Sequence, residues 1–278
     1  MKAGFEIFIA ALRSLVERPV PAIGLLVLFW AVDFALTQML LLPAIEDAPL
    51  SIAPFVASIV LVGLVASTWH RIVLLPEGPP ISTWRALHYA VAWFVLGIVI
   101  TIALIPAFLL LAGFGFLMRH GLVLATDGPP WGDILAAGAF LHLNFFQITV
   151  FFSVALVVIG LPFTWLLCRI GLGLPNLAIG RGDLSFRGSW ARTAPLARPI
   201  AWLAVIVGLT QVLLLLAPFL FMPSLEDTEA FYAATDDLEA LPPGYLFSDV
   251  IGTVGYGLVV MLGAAILTEL YRRTEPTP

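Results

Sequence analysis

Long apolar segments, separated by short polar ones, make up most of this 278-residue chain. A helix needs about 20 consecutive apolar residues to cross the hydrocarbon core of a bilayer. Segments of that length predict six transmembrane helices, at residues 20–42, 51–70, 91–117, 145–168, 200–222 and 250–268. We therefore predict an all-α integral membrane protein in which residues 1–278 form one domain, with the six spans paired as three hairpins.

The first 18 residues have a different pattern, in which apolar and charged positions lie on opposite faces of a helix. The apolar positions recur every three or four residues, at Phe5, Phe8, Ile9, Leu12 and Val16. This period predicts an amphipathic helix over residues 1–18 that lies flat on the membrane surface. The alternative is a simple extension of the first span, which Pro19 and Pro21 disfavour.

Composition supports the membrane interpretation. Hydrophobic residues make up 61% of the chain and charged residues only 11%, whereas soluble domains carry roughly 25% charged residues. So few charges could not cover the surface of a soluble protein of this size, and we exclude the soluble classes. The single cysteine, Cys168, cannot form an internal disulfide, so it gives no information about the redox compartment.

The distribution of Lys and Arg residues orients the predicted spans. If the N-terminus is cytoplasmic, every one of the 13 basic residues except Arg119 falls in a cytoplasmic segment. Cytoplasmic loops of membrane proteins carry an excess of these residues. We therefore expect both termini in the cytoplasm (N-in, C-in), amphipathic interfacial helices on the cytoplasmic side, and a multi-pass protein of a bacterial inner membrane.

The loops that follow spans 2 and 4 share a series of residues. The first reads STWHRIVLLPEGPPISTW and the second TWLLCRIGLGLPNLAIGRGDLSFRGSW. Both contain Thr-Trp, Arg-Ile, Leu-Pro and then a Ser shortly before a Trp, so that Arg71 matches Arg169 and Trp84 matches Trp190. We interpret this as an internal repeat of three units, each an interfacial helix followed by two spans. The alternative is that similar interfaces select similar residues without duplication.

The second of these loops resembles a loop in uncharacterised bacterial six-span membrane proteins, including the membrane domain attached to some glycerophosphoryl diester phosphodiesterases. Its matching positions are Arg169, Leu174, Pro175, Ser189, Trp190 and Thr193, within residues 169–203. The resemblance implies a six-span architecture. It implies no catalytic chemistry, because in that family the phosphodiesterase activity belongs to a separate soluble domain.

Residues 181–183 read Arg-Gly-Asp, a tripeptide that suggests a cell-adhesion ligand in a secreted protein. The predicted topology places it in a cytoplasmic loop, where no extracellular receptor reaches it. We interpret it as a Gly-rich turn before a short helix that has Ser185 as its N-cap. On that helix Phe186 and Trp190 lie one turn apart.

The predicted cytoplasmic loops combine arginine with tryptophan. Tryptophan anchors a protein at headgroup level, and each arginine near an anionic leaflet contributes roughly 1 kcal/mol. We predict a surface that faces anionic phospholipid or a membrane-protein partner, formed by Arg71, Trp84, Arg85, Arg169, Arg181, Arg187, Trp190, Arg192 and Arg198. The alternative is that these residues serve topology and anchoring alone.

Asp33 lies inside the first span, where a carboxylate is costly unless it faces protein or water. We expect it to be hydrogen-bonded to another helix, with Asn144 and Gln147 as the first candidate partners and His142 beyond them. The alternative function suggested by this intramembrane polar set is a small-solute transporter or channel. We favour the structural role, because one acid without a series of partners makes a poor proton path.

No motif for catalysis or cofactor binding is present in the sequence. It contains no Walker sequence, no Gly-x-Ser-x-Gly, no His-Glu-x-x-His and no dinucleotide fingerprint. The spacings of His120, Asp127, Asp133 and His142 match no compact metal-ligand motif. We therefore predict no enzyme activity, cofactor, metal or nucleic-acid partner, and a non-catalytic role in organising lipid or a partner protein.

Overall fold

The computed structural model describes residues 2–40, 52–79, 81–111, 156–217 and 244–275. Every regular element in these segments is helical. The helices with both ends in these segments are α1 (Lys2–Val16), α2 (Pro19–Leu40), α3 (Ile52–Leu74), α4 (Thr83–Ala103), α5 (Leu161–Ile170), α6 (Gly173–Ala178), α7 (Phe186–Arg192), α8 (Ala197–Leu216) and α9 (Tyr245–Thr274), and residues 105–111 are helical as well. A π-helical turn (Leu156–Gly160) leads into α5, and a 3-10 turn (Ala194–Leu196) leads into α8.

Five helical segments of the described chain are long and apolar enough to cross a membrane, namely Pro19–Met39, Val56–Leu74, Thr83–Ala103, Ala194–Leu214 and Phe247–Thr274. They identify a multi-pass helical membrane protein. The predicted span at residues 145–168 begins outside the described residues, and its described part forms the π-helical turn and most of α5. Six crossings, their pairing and their orientation stay predictions.

Helix α3 packs against α2, α4 and α9 and so links much of the bundle. Its approach to α4 is very close, since a Cβ on Gly63 would lie 2.6 Å from the Cβ of Ala90. Lipid tails are as apolar as leucine, so helices in a bilayer associate through close packing of small residues rather than through the hydrophobic effect. The contact between Gly63 and Ala90 is packing of this kind.

Helix α1 is separate from the first span, as expected, because a turn lies between Val16 and Pro19. It packs against α8 and α9 through a face of mostly small residues, which buries Gly4, Ile7, Ala11 and Ser14. A Cβ on Gly4 would lie 2.6 Å from the carbonyl oxygen of Pro199, so this approach requires glycine. The larger apolar residues of the predicted stripe are exposed at Phe5, Ile9 and Val16.

One end of the bundle carries most of the described arginines, and we call it the arginine-rich end. It consists of residues 71–85, 169–199 and 269–275, where α3, α5 and α9 end and α4 and α8 begin. Helix α6 lies within this end, because it packs against α3, α4 and α9 and buries Leu174, Pro175, Asn176 and Ala178. The loop after α5 is therefore built into the bundle, whereas α7 packs at the edge against α5.

The close approach of α3 and α4 gives a first prediction. A Gly63→Ala substitution should lower the free energy of unfolding in detergent by about 1–3 kcal/mol, because the new methyl group would overlap Ala90. Gly97→Ala on α4 is the matched control, since a Cβ at Gly97 meets nothing within 4 Å. Equal unfolding curves for the two variants, in a titration with sodium dodecyl sulfate, would contradict the described contact.

Candidate functional site

Arg169, at the end of α5, holds α7 in place. Its side chain is 3% exposed, and Nη1 donates to the carbonyl oxygen of Thr193 at 2.9 Å. Its guanidinium also lies 4.1 Å from the centre of the Trp190 ring, within the range of a cation–π contact. The planar guanidinium can donate to carbonyls and stack on an aromatic ring at the same time, which lysine cannot do.

Two hydroxyl groups complete this contact from the side of α7. Ser189 Oγ donates to the carbonyl oxygen of Arg169 at 2.9 Å and accepts from the Leu172 N–H at 3.1 Å. Thr193 Oγ1 lies 3.1 Å from the same Arg169 carbonyl oxygen. The last carbonyls of a helix have no partner within it, so these hydroxyls satisfy a group that α5 leaves open.

Arg71, at the end of α3, makes a comparable contact. It is 5% exposed, and its Nη1 donates to the carbonyl oxygen of Ala178 at 3.0 Å, while Nη2 donates to that of Pro79. Arg71 thus joins the loop after α3 to the loop after α5. The prediction that Arg71 and Arg169 face lipid or a partner is wrong, because both side chains are almost fully buried and donate through their Nη atoms to backbone carbonyls. The Nε of each is buried as well and has no acceptor among the described residues.

Asn176 on α6 organises the turn that contains the Arg-Gly-Asp tripeptide. Its Nδ2 donates to the Tyr271 hydroxyl at 3.1 Å, and its Oδ1 accepts from the Asp183 N–H at 3.1 Å. Hydrogen bonding from the Asn176 side chain also holds the pKa of the Asp183 carboxyl below its ordinary value. The Asn176 side chain therefore joins the turn to α9.

The predicted turn at residues 180–183 is confirmed in geometry. Gly180 has a φ of +88°, its N–H donates to the Leu177 carbonyl, and the Arg181 N–H donates to the Asn176 carbonyl. This left-handed glycine with its two hydrogen bonds is a Schellman-type end to α6. Arg181 itself forms an ion pair with Glu275, and hydrogen bonding to that carboxylate raises the pKa of Arg181.

Helix α7 begins as predicted, with Ser185 Oγ accepting from the Gly188 N–H at 3.2 Å. The side chains of Phe186 and Trp190 are both exposed, one turn apart. Within residues 169–199, the arginines without a hydrogen-bond or ion-pair partner among the described residues are Arg187, Arg192 and Arg198. Of the remaining predicted surface residues, Trp84 is 69% exposed and Arg85 is half-buried.

A buried hydrogen-bonded series across three helices was not predicted from the sequence. His70 Nδ1 lies 2.7 Å from Thr268 Oγ1, and His70 Nε2 lies 2.8 Å from the Tyr89 hydroxyl. The Thr268 hydroxyl donates its one hydrogen to the Ala264 carbonyl oxygen, so it accepts from Nδ1–H of His70. Nε2 is then the acceptor for Tyr89, and the imidazole is neutral.

Asp33 has a partner that the sequence did not indicate. Its Oδ1 accepts from Ser58 Oγ of α3 at 3.1 Å, and one turn further on Gln38 Nε2 donates to Asp249 of α9 at 3.1 Å. This agrees with the expected bond to another helix. The predicted partners all lie outside the described residues, namely His142, Asn144 and Gln147.

No metal site emerges from the part of the chain that the structure describes, since it contains no group of three His, Cys, Asp or Glu residues placed to hold an ion. The use of this polar set in solute transport stays a prediction.

No protein-family model, curated protein or solved structure matches this chain. The resemblance to the membrane domain of some glycerophosphoryl diester phosphodiesterases therefore stays a prediction that rests on residues 169–203. The structure gives those residues a physical role, because Arg169, Ser189 and Thr193 form the contact between α5 and α7.

The buried series around His70 gives a second prediction. A Tyr89→Phe substitution should lower the free energy of unfolding by about 1–3 kcal/mol, because it leaves His70 Nε2 buried without a donor. Tyr256→Phe is the control, since the partly exposed Tyr256 hydroxyl has no hydrogen bond to the described residues. If detergent unfolding shows equal losses for both variants, the His70 series does not join the helices.

Proposed function

We propose that this protein is a non-catalytic membrane module whose arginine-rich end faces the cytoplasm and binds anionic phospholipid headgroups. The observation that supports the proposal is the set of side chains that α7 exposes. The rings of Phe186 and Trp190 are exposed on it, and so is Arg187, which has no hydrogen-bond or ion-pair partner among the described residues. Aromatic rings at headgroup level with arginines beside them suit the interface of an anionic leaflet.

Five arginines of this end fall into two groups with different tasks. Arg71 and Arg169 are buried and donate to carbonyls, so they support the fold. By contrast, Arg187, Arg192 and Arg198 have no partner among the described residues and keep their donors for an external anion. Each such arginine contributes roughly 1 kcal/mol towards an anionic surface.

Helix α1 extends this surface. Gly4, in the first turn of α1, lies against Pro199 near the start of α8, so α1 begins at the arginine-rich end. Its exposed face carries the large apolar residues Phe5 and Ile9, while its buried face contacts α8 and α9. We infer that α1 lies in the membrane interface with these side chains among the acyl chains.

The finer features of the topology form part of the same proposal. We place both termini in the cytoplasm, the sixth crossing at residues 145–168, and the protein in a bacterial inner membrane as three hairpins. The similar hydrogen bonding of Arg71 and Arg169 at the ends of α3 and α5 supports the proposed internal repeat. In each case a helix-end arginine donates to a carbonyl of the segment that follows its helix, that of Pro79 for Arg71 and that of Thr193 for Arg169.

The proposal predicts a loss of lipid preference when α7 and its continuation lose their charges. With Arg187, Arg192 and Arg198 all changed to Gln, the preference for phosphatidylglycerol over phosphatidylcholine should fall, with each arginine contributing up to about fivefold. The measurement is electron spin resonance of spin-labelled lipids in nanodiscs. Arg273→Gln is the control, because Arg273 is already paired with Glu269 at 2.7 Å.

Two results would count against this function. One is an unchanged lipid preference in the triple variant when the protein is still inserted and folded. The other is an equal loss in the control, because that would make the preference a matter of net charge rather than of unpaired arginines on one surface. Added salt should weaken the wild-type preference, since exposed charges are screened.

A further inference from the structure

A small pocket lies at the arginine-rich end, between the start of α4 and the turn that follows α6. It has a volume of about 210 Å³ and opens to the surface. Besides the apolar side chain of Leu177, it is lined by Ser82, Trp84, Arg85, His88, Gly180 and Gly182. The pocket is distinct from the exposed face of α7, because none of these residues belongs to that helix.

The guanidinium of Arg85 lies directly against the backbone of the turn. A Cβ on Gly180 would be 3.1 Å from Cζ of Arg85, and Gly180 has a φ of +88° that other residues rarely adopt. Glycine is therefore required here both for the turn and for the approach of Arg85. The Arg85 side chain has no hydrogen-bond acceptor among the described residues.

One further donor borders the same pocket, and it comes from the backbone of the turn. His88 does not supply one, because its Nδ1 donates a hydrogen to the Trp84 carbonyl oxygen at 2.8 Å, and Nε2 of the neutral imidazole is then an acceptor. The backbone N–H groups of residues 180, 181, 183 and 184 all donate within the turn. That of Gly182 has no acceptor in the segments that the structure describes.

Two arginines near this pocket form no ion pair with a carboxylate of the described chain. Arg71 donates to the Ala178 carbonyl two residues before Gly180, and the like charges of Arg71 and Arg85 act on one another. Two cations that converge on one turn favour an anion between or beside them.

We propose that this pocket binds the phosphate group of one phospholipid headgroup, with Arg85 as the principal ligand. Arginine suits a phosphate because its planar donors match the phosphate oxygens. Trp84, with a side chain that is 69% exposed, lies at the rim, where it can enter the headgroup layer. The inference rests on the proposed function for the placement of this end at headgroup level, and it adds a discrete site to that surface.

The test is native mass spectrometry of the purified full-length protein with three added compounds. Phosphatidylglycerol carries the phosphate on a lipid, diacylglycerol is a lipid without phosphate, and inorganic phosphate has no lipid. Wild type should retain one phosphatidylglycerol more strongly than diacylglycerol. Arg85→Gln should weaken that retention about tenfold, since it removes a charge-assisted hydrogen bond, and Arg85→Lys should weaken it less.

Arg273→Gln again serves as the control of equal charge and should retain the lipid. If inorganic phosphate displaces phosphatidylglycerol from wild type, and binds the Arg85→Gln variant less well, the phosphate chemistry of the pocket is supported and its source is soluble. If diacylglycerol is retained as strongly as phosphatidylglycerol, or the Arg85→Gln variant retains phosphatidylglycerol as wild type does, the pocket proposal is overturned.

The proposal for the pocket and the proposal for α7 can be refuted separately. If the Arg85 variants keep the retained lipid while the triple α7 variant loses its lipid preference in nanodiscs, the proposed function stands without the pocket. If the Arg85→Gln variant loses the retained lipid and the triple variant keeps its preference, the pocket stands and the role of α7 is refuted. If the Arg85→Gln substitution unfolds the turn, the Arg85→Lys variant still tests the pocket, because it keeps the positive charge next to Gly180.

Discussion

The arginine-rich end depends on the contact of a buried guanidinium with the carbonyls of the loop that follows it. Arg169 links α5 to the end of α7, and Arg71 links α3 both to the loop that follows it and to the end of α6. In a bilayer the helices gain little from hydrophobic burial against one another. Hydrogen bonds to the unpaired carbonyl groups at helix ends therefore contribute strongly to fixing the positions of the helices and loops at the arginine-rich end.

The same arrangement separates arginines that support the fold from arginines that are available to bind a headgroup. Arginines that donate to carbonyls, such as Arg71 and Arg169, are buried, whereas Arg187 and Arg198 are exposed. A count of arginines along the sequence treats all of them alike. The structure shows that only some have donors left for a headgroup, and that the fold of α6 and α7 decides which ones. This is why we assign lipid binding to α7 and to the pocket beside Arg85.

Local features of this end could be predicted from the sequence. The Ser185 cap and the turn at Gly180 depend on residues a few positions apart, and the spanning segments depend on continuous apolar stretches. Contacts between distant positions could not be predicted. Arg71 and Ala178 are separated by 107 residues and His70 and Thr268 by 198, and no period in the sequence relates them. Only the fold brings these pairs together.

The central claim is that Arg169 positions α7 for lipid binding, and an Arg169→Lys variant tests it most directly. Lysine keeps the positive charge but has neither the planar donors nor the stacking surface that contact Thr193 and Trp190. The measurement is the preference of the inserted, folded variant for spin-labelled phosphatidylglycerol over phosphatidylcholine. The account predicts that this preference falls although no arginine of α7 has changed. A preference equal to that of wild type would contradict it.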